Sequence, residues 1–321
     1  MCCLCEDAEG LQVMVHHPVM LEECLDVLDV ERGGRFIDAT FGGGGHATEI
    51  LKRSPESAVH ALDQDKAALA RAAALQSEYA DRFCFSAMNF RDIELIEEID
   101  YQGILFDLGV SSFQLDEAVR GFSFRLPAPL DMRMHQEGIA PASDFLANAT
   151  REDLVRAVRD YGEEPSWRRV VGAIIDARGT GLLDQTDTFA QLVVEALPPA
   201  RRFSKGIHPA TLTFQGIRIA VNGELDALEE ALPKAFDKLA VGGVLAVLSY
   251  HSLEDRIVKR YFRRLSGRPE HRNDSRSVQD RVKLAEDLFR KPLSPTSEEV
   301  KINHRARSAK LRAVRKLKNM S

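Results

Sequence analysis

Apolar runs alternate with helix-like patterns along the first third of the chain. Four short apolar runs have the length expected of buried strands: residues 35–40, 58–62, 83–87 and 103–107. Helical patterns lie between them, after the glycines at 42–45 and over 66–75 and 92–98, with Asp65 as the predicted N-cap of the second. This alternation predicts βαβ units and therefore a parallel sheet.

The pattern changes between residues 121 and 218, where no buried strand is predicted. Three segments there have apolar spacing that is compatible with helices: 151–161, 166–178 and 186–197. We interpret this stretch as an inserted all-helical domain.

Helix and strand signals return after the insertion. Apolar residues recur at helical spacing from Leu225 to Leu239, and the pair Gly242 and Gly243 is predicted to end that helix. A strand over 244–248 and a helix over 253–265 follow. The sequence thus predicts an α/β fold with a discontinuous Rossmann-like domain. Its predicted bounds are 1–120 and 219–321, around the inserted domain at 121–218.

Composition is typical of a globular protein. The 321 residues are 44% hydrophobic and 29% charged, and no apolar run approaches the ~18 residues that span a bilayer. Residues 1–10 lack the basic start and apolar stretch of a signal peptide. We therefore expect a cytoplasmic protein without a membrane partner.

Cysteine usage predicts neither a disulfide framework nor a metal site. The count of five is odd. Cys2, Cys3 and Cys5 form a cluster, but a structural zinc site needs four ligands and no second cluster exists in the sequence.

The charge is unevenly distributed. The formal net charge is -6, yet residues 301–321 carry lysines and arginines without an acid. A second basic cluster comprises Lys259, Arg260, Arg263, Arg264 and Arg268. Such clusters are either solvated faces or surfaces that contact phosphates, since clustered cations attract a polyanion even when the total charge is negative.

A glycine-rich turn after the first predicted strand indicates a cofactor site. Residues 42–47 match G-x-G-x-x-A, and Asp63 follows about twenty residues on, where an acid binds ribose hydroxyls in Rossmann-like units. NAD and S-adenosylmethionine both suit this pattern. Asp38 favours the second, because it would repel a pyrophosphate but suits an ammonium group or the bracing of the loop. Asp107 ends the fourth predicted strand, where such sheets place their chemistry.

The sequence resembles the bacterial 16S rRNA (cytosine-N(4))-methyltransferase family. The matching blocks run in family order from about residue 17 to 312. They are HPVML at 17–21, DATFGGGGH at 38–46, FDLGVSS at 106–112, QLD at 114–116, RGFSF at 120–124, PLDMRM at 129–134, HPAT at 208–211, SYHSLEDR at 249–256 and RARSAKLR at 305–312. The resemblance implies a class I methyltransferase that uses S-adenosylmethionine to methylate a cytidine amine in the decoding region.

The resemblance also implies a set of cofactor contacts. They fall on Gly44, Gly45, His46, Asp63, Phe90, Asp107 and Gln114. Core packing is the alternative for Phe90. The side chains that hold the cytosine amine are not identified by the motifs, and Asp107 suits the cofactor, the amine or both.

Four polar residues are candidates for the base pocket: Asp131, Arg133, His208 and His251. For each of them, helix capping or ion pairing is an equally good interpretation. The expected partner is 16S ribosomal RNA within the 30S subunit, bound by the helical insertion and the basic C-terminal region. Self-association into a homodimer is left open.

Three other functions are compatible with parts of the pattern. A nicotinamide-dependent dehydrogenase would share the glycine turn and Asp63, although Asp38 and the later blocks oppose it. A non-catalytic RNA-binding factor could retain the cofactor fold, and a methyltransferase could act on a different base, because a fold does not fix a substrate.

Overall fold

The computed structural model describes residues 18–202, 208–277 and 279–319. Its chain divides into two compact units. The sheet unit contains the residues up to Gly109 and those from Leu225 onward, and the helical unit runs from Val110 to Glu224. His17 of the first family block and the Cys2, Cys3 and Cys5 cluster lie outside the described residues.

The sheet unit is built on seven strands in the order β3-β2-β1-β4-β5-β7-β6. The strands are β1 Gly34–Asp38, β2 Ser57–Leu62, β3 Phe83–Ser86, β4 Tyr101–Asp107, β5 Leu239–Ser249, β6 Ala285–Asp287 and β7 Lys310–Lys316. The first five are parallel, and β7 pairs antiparallel with both β5 and β6. This is the sheet of a class I methyltransferase and confirms the predicted fold class.

Helices cover both faces of this sheet. They are α1 Leu21–Leu28, α2 Gly45–Arg53, α3 Ala68–Tyr79, α11 Glu224–Lys238, α12 Ser252–Leu265 and α13 Ser297–Ile302. One apolar cluster contains Leu25, Ile50 and Val59, and another contains Ile104, Phe236 and Phe262. Because each face carries its own core, the central strands are apolar on both sides, as the continuous runs predicted.

The helical unit contains the remaining helices. They are α4 Ser112–Asp116, α5 Ala142–Asn148, α6 Arg151–Val155, α7 Trp167–Asp176, α8 Thr186–Ala196, α9 Pro199–Arg202 and α10 Thr211–Asn222. A π-helical turn, Arg156–Tyr161, continues α6. The core of the helical unit includes Leu154, Ile174 and Phe189. The unit is wider than the predicted 121–218, because Val110 already packs on this core and Arg218 forms an ion pair with Glu224.

Two local predictions are wrong in detail. Asp65 is not the N-cap of α3, since its carboxylate accepts a hydrogen bond from the Ala67 N–H in a turn before the helix starts. Residues 92–98 do not form a regular helix, because a 3-10 helix over Phe90–Leu95 contains a kink at Asp92.

The glycine pair at 242–243 does not end α11 but lies inside β5. The pairing register between β4 and β5 shifts there, from Tyr101 with Leu239 to Gly103 with Val244. Gly242 has φ +91°, a value that suits a β-bulge and few residues other than glycine. The helix instead ends where Lys316 on β7 donates to the Phe236, Asp237 and Leu239 carbonyls.

Candidate active site

Four polar side chains stand at the carboxyl edge of the central strands. Asp38 ends β1, Asp63 follows β2, Asp107 ends β4 and Tyr250 follows β5. These strands are neighbours in the order β2-β1-β4-β5. Parallel neighbours present their carboxyl ends at one edge, which is where open α/β sheets bind their ligands.

The glycine turn lies along this edge. Gly42 and Gly44 have φ of +52° and +78°, in the left-handed region. A Cβ atom on Gly44 would lie 2.7 Å from the Phe41 ring, and one on Gly45 would collide with the ring of Pro18. Phe41 and Pro18 therefore occupy the space of the two missing side chains, and only glycine lets the turn pack this closely against them.

Asp63 fastens the glycine turn to the end of β2. Its two carboxylate oxygens accept hydrogen bonds from the Gly42 N–H and the Asp65 N–H, both at 2.8 Å. Burial raises the pKa of Asp63 to about 6, although the two backbone hydrogen bonds oppose the rise. Each oxygen keeps lone-pair capacity for a further donor such as a ribose hydroxyl.

Asp38 is the most deeply buried acid of the edge, with 1% of its surface exposed. It accepts a hydrogen bond from the Thr40 N–H at 3.2 Å. Burial raises the pKa of Asp38 to about 6, and the neighbouring His46 partly opposes the rise. The sequence left two roles open for Asp38, as partner of an ammonium group or as brace of the loop. The hydrogen bond from Thr40 corresponds to the second role.

Asp107 makes two hydrogen bonds and has the His46 imidazole beside it. The Tyr250 hydroxyl donates to its Oδ1 at 2.6 Å, and its own N–H donates to the Thr40 hydroxyl oxygen at 2.6 Å. His46 Nδ1 lies 3.7 Å from Oδ2, too far for a hydrogen bond. Burial raises the pKa of Asp107, while His46 and the Tyr250 hydrogen bond lower it. Oδ2 therefore keeps the capacity to accept a hydrogen bond.

His46 and Phe90 complete the predicted set within the sheet unit. The His46 ring is buried in the first turn of α2, with Nε2 3.2 Å from the Val19 carbonyl oxygen. The Phe90 ring meets Phe106 edge-on at 5.5 Å and is only partly buried. It thus combines core packing with a partly open surface.

Gln114 belongs to the helical unit. Its side chain and Ser111 form a capping box at the start of α4, where Gln114 Oε1 accepts from the Ser111 N–H at 3.0 Å. The residue is buried. Its family role as a cofactor contact stays a prediction.

Two of the pocket candidates pair with each other in the helical unit. Arg133 donates to both oxygens of Asp131, at 2.7 and 2.8 Å. Burial acts to raise the pKa of Asp131, but the hydrogen bonds from Arg133 outweigh it and the pKa is lowered. Arg133 also donates to the Gln136 and Ile139 carbonyls, so the pair fixes its own loop.

The two histidine candidates differ in their freedom. His208 is exposed, and its ring lies 4.4 Å from the Phe124 ring within the helical unit. His251 is the N-cap of α12 in the sheet unit, in a capping box with the buried Glu254. The structural interpretation of His251 is therefore realised. His208 also makes a local contact, since its Nδ1 accepts from the Ala210 N–H at 3.2 Å, while its ring stays exposed.

Sequence reasoning gave no role to Tyr250 and Thr40. Both lie within the family blocks, and Tyr250 directly follows the apolar run of β5, which was the available signal.

Among the described residues, no group of three or more histidines, cysteines or acids is arranged to hold a metal ion, and no helix is both long and apolar enough to cross a membrane.

Comparison with known proteins gives a family and close relatives. The model of the MraW methylase family matches residues 13–317. The ribosomal RNA small subunit methyltransferase H of Heliobacterium modesticaldum is 44% identical, over 95% of this chain and 100% of its own. The protein of the same name from Parvibaculum lavamentivorans is 45% identical, over 93% of this chain and 88% of its own. These matches confirm the family that the sequence motifs indicate.

Solved structures are more distant. An rRNA methylase from Streptococcus thermophilus is 12% identical with a TM-score of 0.43, and the alignment covers 95% of this chain and 100% of that one. An S-adenosylmethionine-dependent O-methyltransferase from Thermotoga maritima is 10% identical with a TM-score of 0.42, over 97% of this chain and 69% of that one. Likeness at this level adds nothing to the strand order described above.

Proposed function

The chain belongs to the MraW methylase family, and we propose that this S-adenosylmethionine-dependent methyltransferase acts on the exocyclic N(4) amine of a cytidine in the decoding region of 16S ribosomal RNA. The observation that carries the proposal is the carboxyl edge of the sheet. There a glycine turn is fastened to Asp63, and Asp107 ends a neighbouring strand, in a chain whose relatives are named ribosomal RNA small subunit methyltransferase H.

The residues of the edge fit S-adenosylmethionine. Gly42 and Gly44 give the turn its left-handed backbone, and α2 begins at Gly45 with no side-chain cap from the described residues. Asp63 has capacity to accept from ribose hydroxyls. We assign cofactor binding to Gly44, Gly45, His46, Asp63, Phe90 and Asp107, and we carry Gln114 over from the family. When bound, S-adenosylmethionine supplies an electrophilic methyl group on a sulfonium sulfur.

Asp107 has the properties required to orient an amine. The amine of cytosine is a weak nucleophile because its lone pair is delocalised into the ring, so alignment supplies much of the rate. Tyr250 fixes one oxygen of Asp107, and the other retains capacity to accept an N–H of the amine. In this proposal Asp107 holds the amine and Tyr250 and Thr40 hold Asp107.

The candidates for the base pocket are Asp131, Arg133, His208 and His251. We favour His208, because an exposed ring that already lies against Phe124 suits stacking with an unpaired base. Asp131, Arg133 and His251 act through the segments they fix. Single alanine variants separate these roles, since a variant that retains both methyl transfer and RNA affinity removes that residue from the pocket.

The proposed substrate determines the remaining assignments. We assign RNA recognition to the helical unit and the basic C-terminal region, with the 30S subunit as the physiological context and a homodimer as a state to be tested. Ribosomal RNA is assembled in the bacterial cytoplasm, so the proposed substrate implies that location.

The decisive experiment supplies labelled S-adenosylmethionine with bacterial 30S subunits and, separately, with free 16S RNA. The RNA is digested to nucleosides and analysed by mass spectrometry. N(4)-methylated cytidine at one position is the expected product. Absence of label on both substrates, in protein that still binds the cofactor, would refute the proposed substrate.

A further inference from the structure

A basic cavity of about 480 Å³ lies beside α12 in the sheet unit, apart from the carboxyl edge residues. Its cationic lining consists of Arg256, Lys259, Arg260, Arg263 and Arg272. The volume lies within the range of clefts that bind ligands. The chemistry assigned to the carboxyl edge does not use any of these five side chains.

The spacing of the cations on α12 places them on one side of the helix. Arg256, Lys259, Arg260 and Arg263 are three or four residues apart, and the first three are exposed. The opposite side buries Val258, Phe262 and Leu265 in the core. Like charges at this spacing destabilise a helix, so the row is unfavourable for folding and indicates a role in binding an anion.

The two acids of α12 are engaged away from Lys259 and Arg260. Asp255 points to β7, where it pairs with Arg312 at 2.8 Å and with Lys310 at 3.7 Å. Glu254 accepts the Tyr250 N–H at the start of the helix. In the part of the chain that the structure describes, Lys259 and Arg260 form no ion pair.

The acids on the opposite wall are already compensated. Asp274 accepts from Arg276 at 2.9 Å and from Arg281 at 2.8 Å, and Glu270 accepts from Arg276 at 2.6 Å. Hydrogen bonds from these two arginines hold the pKa of Asp274 well below its usual range. The cavity therefore keeps the excess positive charge of Lys259, Arg260 and Arg272.

A smaller cavity continues the cationic surface. Lys259 and Arg263 line it as well, together with Arg268, Arg290, Arg312 and one acid, Asp287, which pairs with Arg268. The Nε atoms of Arg263 and Arg268 are buried without a hydrogen-bond partner among the described residues. Burial and the neighbouring charges of Arg263, Arg312 and Arg290 lower the pKa of Arg268. An anion bound in this cavity would reduce the repulsion among its arginines.

We propose that this basic cavity binds adjacent phosphates of the ribosomal RNA substrate, an inference that rests on the proposed function. Guanidinium groups match phosphate oxygens in a bidentate manner. The row from Arg256 to Arg263 spans roughly 10 Å along the helix, long enough to face more than one phosphate. Phosphate contacts fix the register of a nucleic acid without reading its sequence. The cavity therefore positions the RNA and takes no part in methyl transfer.

The test compares the full-length protein with the double variant Lys259→Gln/Arg260→Gln. The matched control, Arg32→Gln/Lys52→Gln, removes two exposed cations elsewhere on the sheet unit, whose surface ion pairs contribute little. Binding of free 16S RNA is measured by filter retention between about 50 and 200 mM salt. Cofactor affinity and methyl transfer to RNA and to 30S subunits are measured in parallel.

Two lost phosphate contacts should make the slope of log affinity against log salt shallower by about 1.5, so that the affinity deficit shrinks about tenfold across this range. Cofactor affinity and the rate at saturating RNA should not change, and the control should match wild type. Equal slopes of log affinity against log salt for all three proteins would overturn the cavity proposal. A methyl-transfer defect seen only with 30S subunits would overturn it as well, because the surface would then contact a ribosomal protein. Absence of methylated cytidine from wild type would instead count against the proposed function alone.

Discussion

Tyr250 donates its hydroxyl hydrogen bond to Asp107 at 2.6 Å across 143 residues of sequence. The contact joins the residue after β5 to the last residue of β4, which pair in parallel through Asp107 and Leu248. Asp107 can therefore be oriented without help from its own loop. The acid proposed to hold the substrate amine depends on a tyrosine that no short motif links to it.

Replacement of Tyr250 by phenylalanine should slow methyl transfer by about tenfold or more, since a hydrogen bond to a charged group is worth roughly 1.5–3 kcal/mol. The Tyr250 hydrogen bond lowers the pKa of Asp107, so its loss should move the acidic limb of the pH–rate profile to higher pH. Single-turnover rates across pH measure both effects.

The matched control is Tyr261→Phe. The Tyr261 hydroxyl is buried without a hydrogen-bond partner among the described residues, so its removal should leave rate and pH profile unchanged. If Tyr250→Phe and Tyr261→Phe behaved alike, the link from Tyr250 to Asp107 would have no role in the reaction.

S-adenosylmethionine should bind more weakly as the pH falls through about 6. Burial raises the pKa of Asp63 to that value, so its carboxylate is protonated in a range where an ordinary aspartate stays charged. A protonated Asp63 accepts hydrogen bonds from ribose hydroxyls less strongly. Calorimetric titration from pH 8 to about 5 should show the loss. Asp63→Asn should bind weakly throughout with a flatter profile, and an unchanged pH dependence in this variant would rule out Asp63 as its source.

Asp38→Asn should stabilise the fold at neutral pH. The pKa of Asp38 is about 6 in the folded chain and 3.8 in the reference state, so the folded protein binds the extra proton between these values. The contribution of Asp38 to the free energy of unfolding is therefore largest below pH 3.8 and is lost as the pH rises through about 6.

The loss amounts to roughly 2–3 kcal/mol. An asparagine keeps the acceptor for the Thr40 N–H and avoids the buried charge. Urea unfolding at neutral and acidic pH measures the difference, which should vanish toward acid. The exposed Asp26→Asn on α1 is the control. A variant that was less stable than wild type at neutral pH would contradict the account of Asp38.

Gly44→Ala should impair both stability and cofactor binding. The residue has φ +78°, and its Cβ would lie 2.7 Å from the Phe41 ring, so the turn must shift. A cost of about 1–2 kcal/mol is expected. Gly172→Ala in α7 is the matched control, because no atom lies within 4 Å of the added Cβ. That change should stabilise the helix by up to about 1 kcal/mol. Thermal unfolding with and without S-adenosylmethionine compares the two variants. Equal changes in melting temperature would show that Gly44 is no more constrained than Gly172.

The sequence by itself determined strands β1 to β5 and the chemical family, whereas it did not predict β6 or β7. Apolar runs of strand length locate β1 to β5 closely, because a strand buried on both faces has little choice of residue type. The glycine turn and Asp63 are also local in origin, since the left-handed backbone at Gly44 restricts the residue. Family motifs then indicated the cofactor and the substrate.

Only the tertiary structure decided which side chains meet. The sequence does not distinguish Asp131 from His251 as candidates for the base pocket. In the structure Asp131 forms a bidentate ion pair with Arg133, and His251 caps α12. The local sequence around Gly242 predicts the end of a helix, yet the pairing of β5 with β4 places this glycine in a bulge. The basic cavity likewise depends on where the chain folds back beside α12. These outcomes arise from contacts between distant segments, and local propensity carries no information about them.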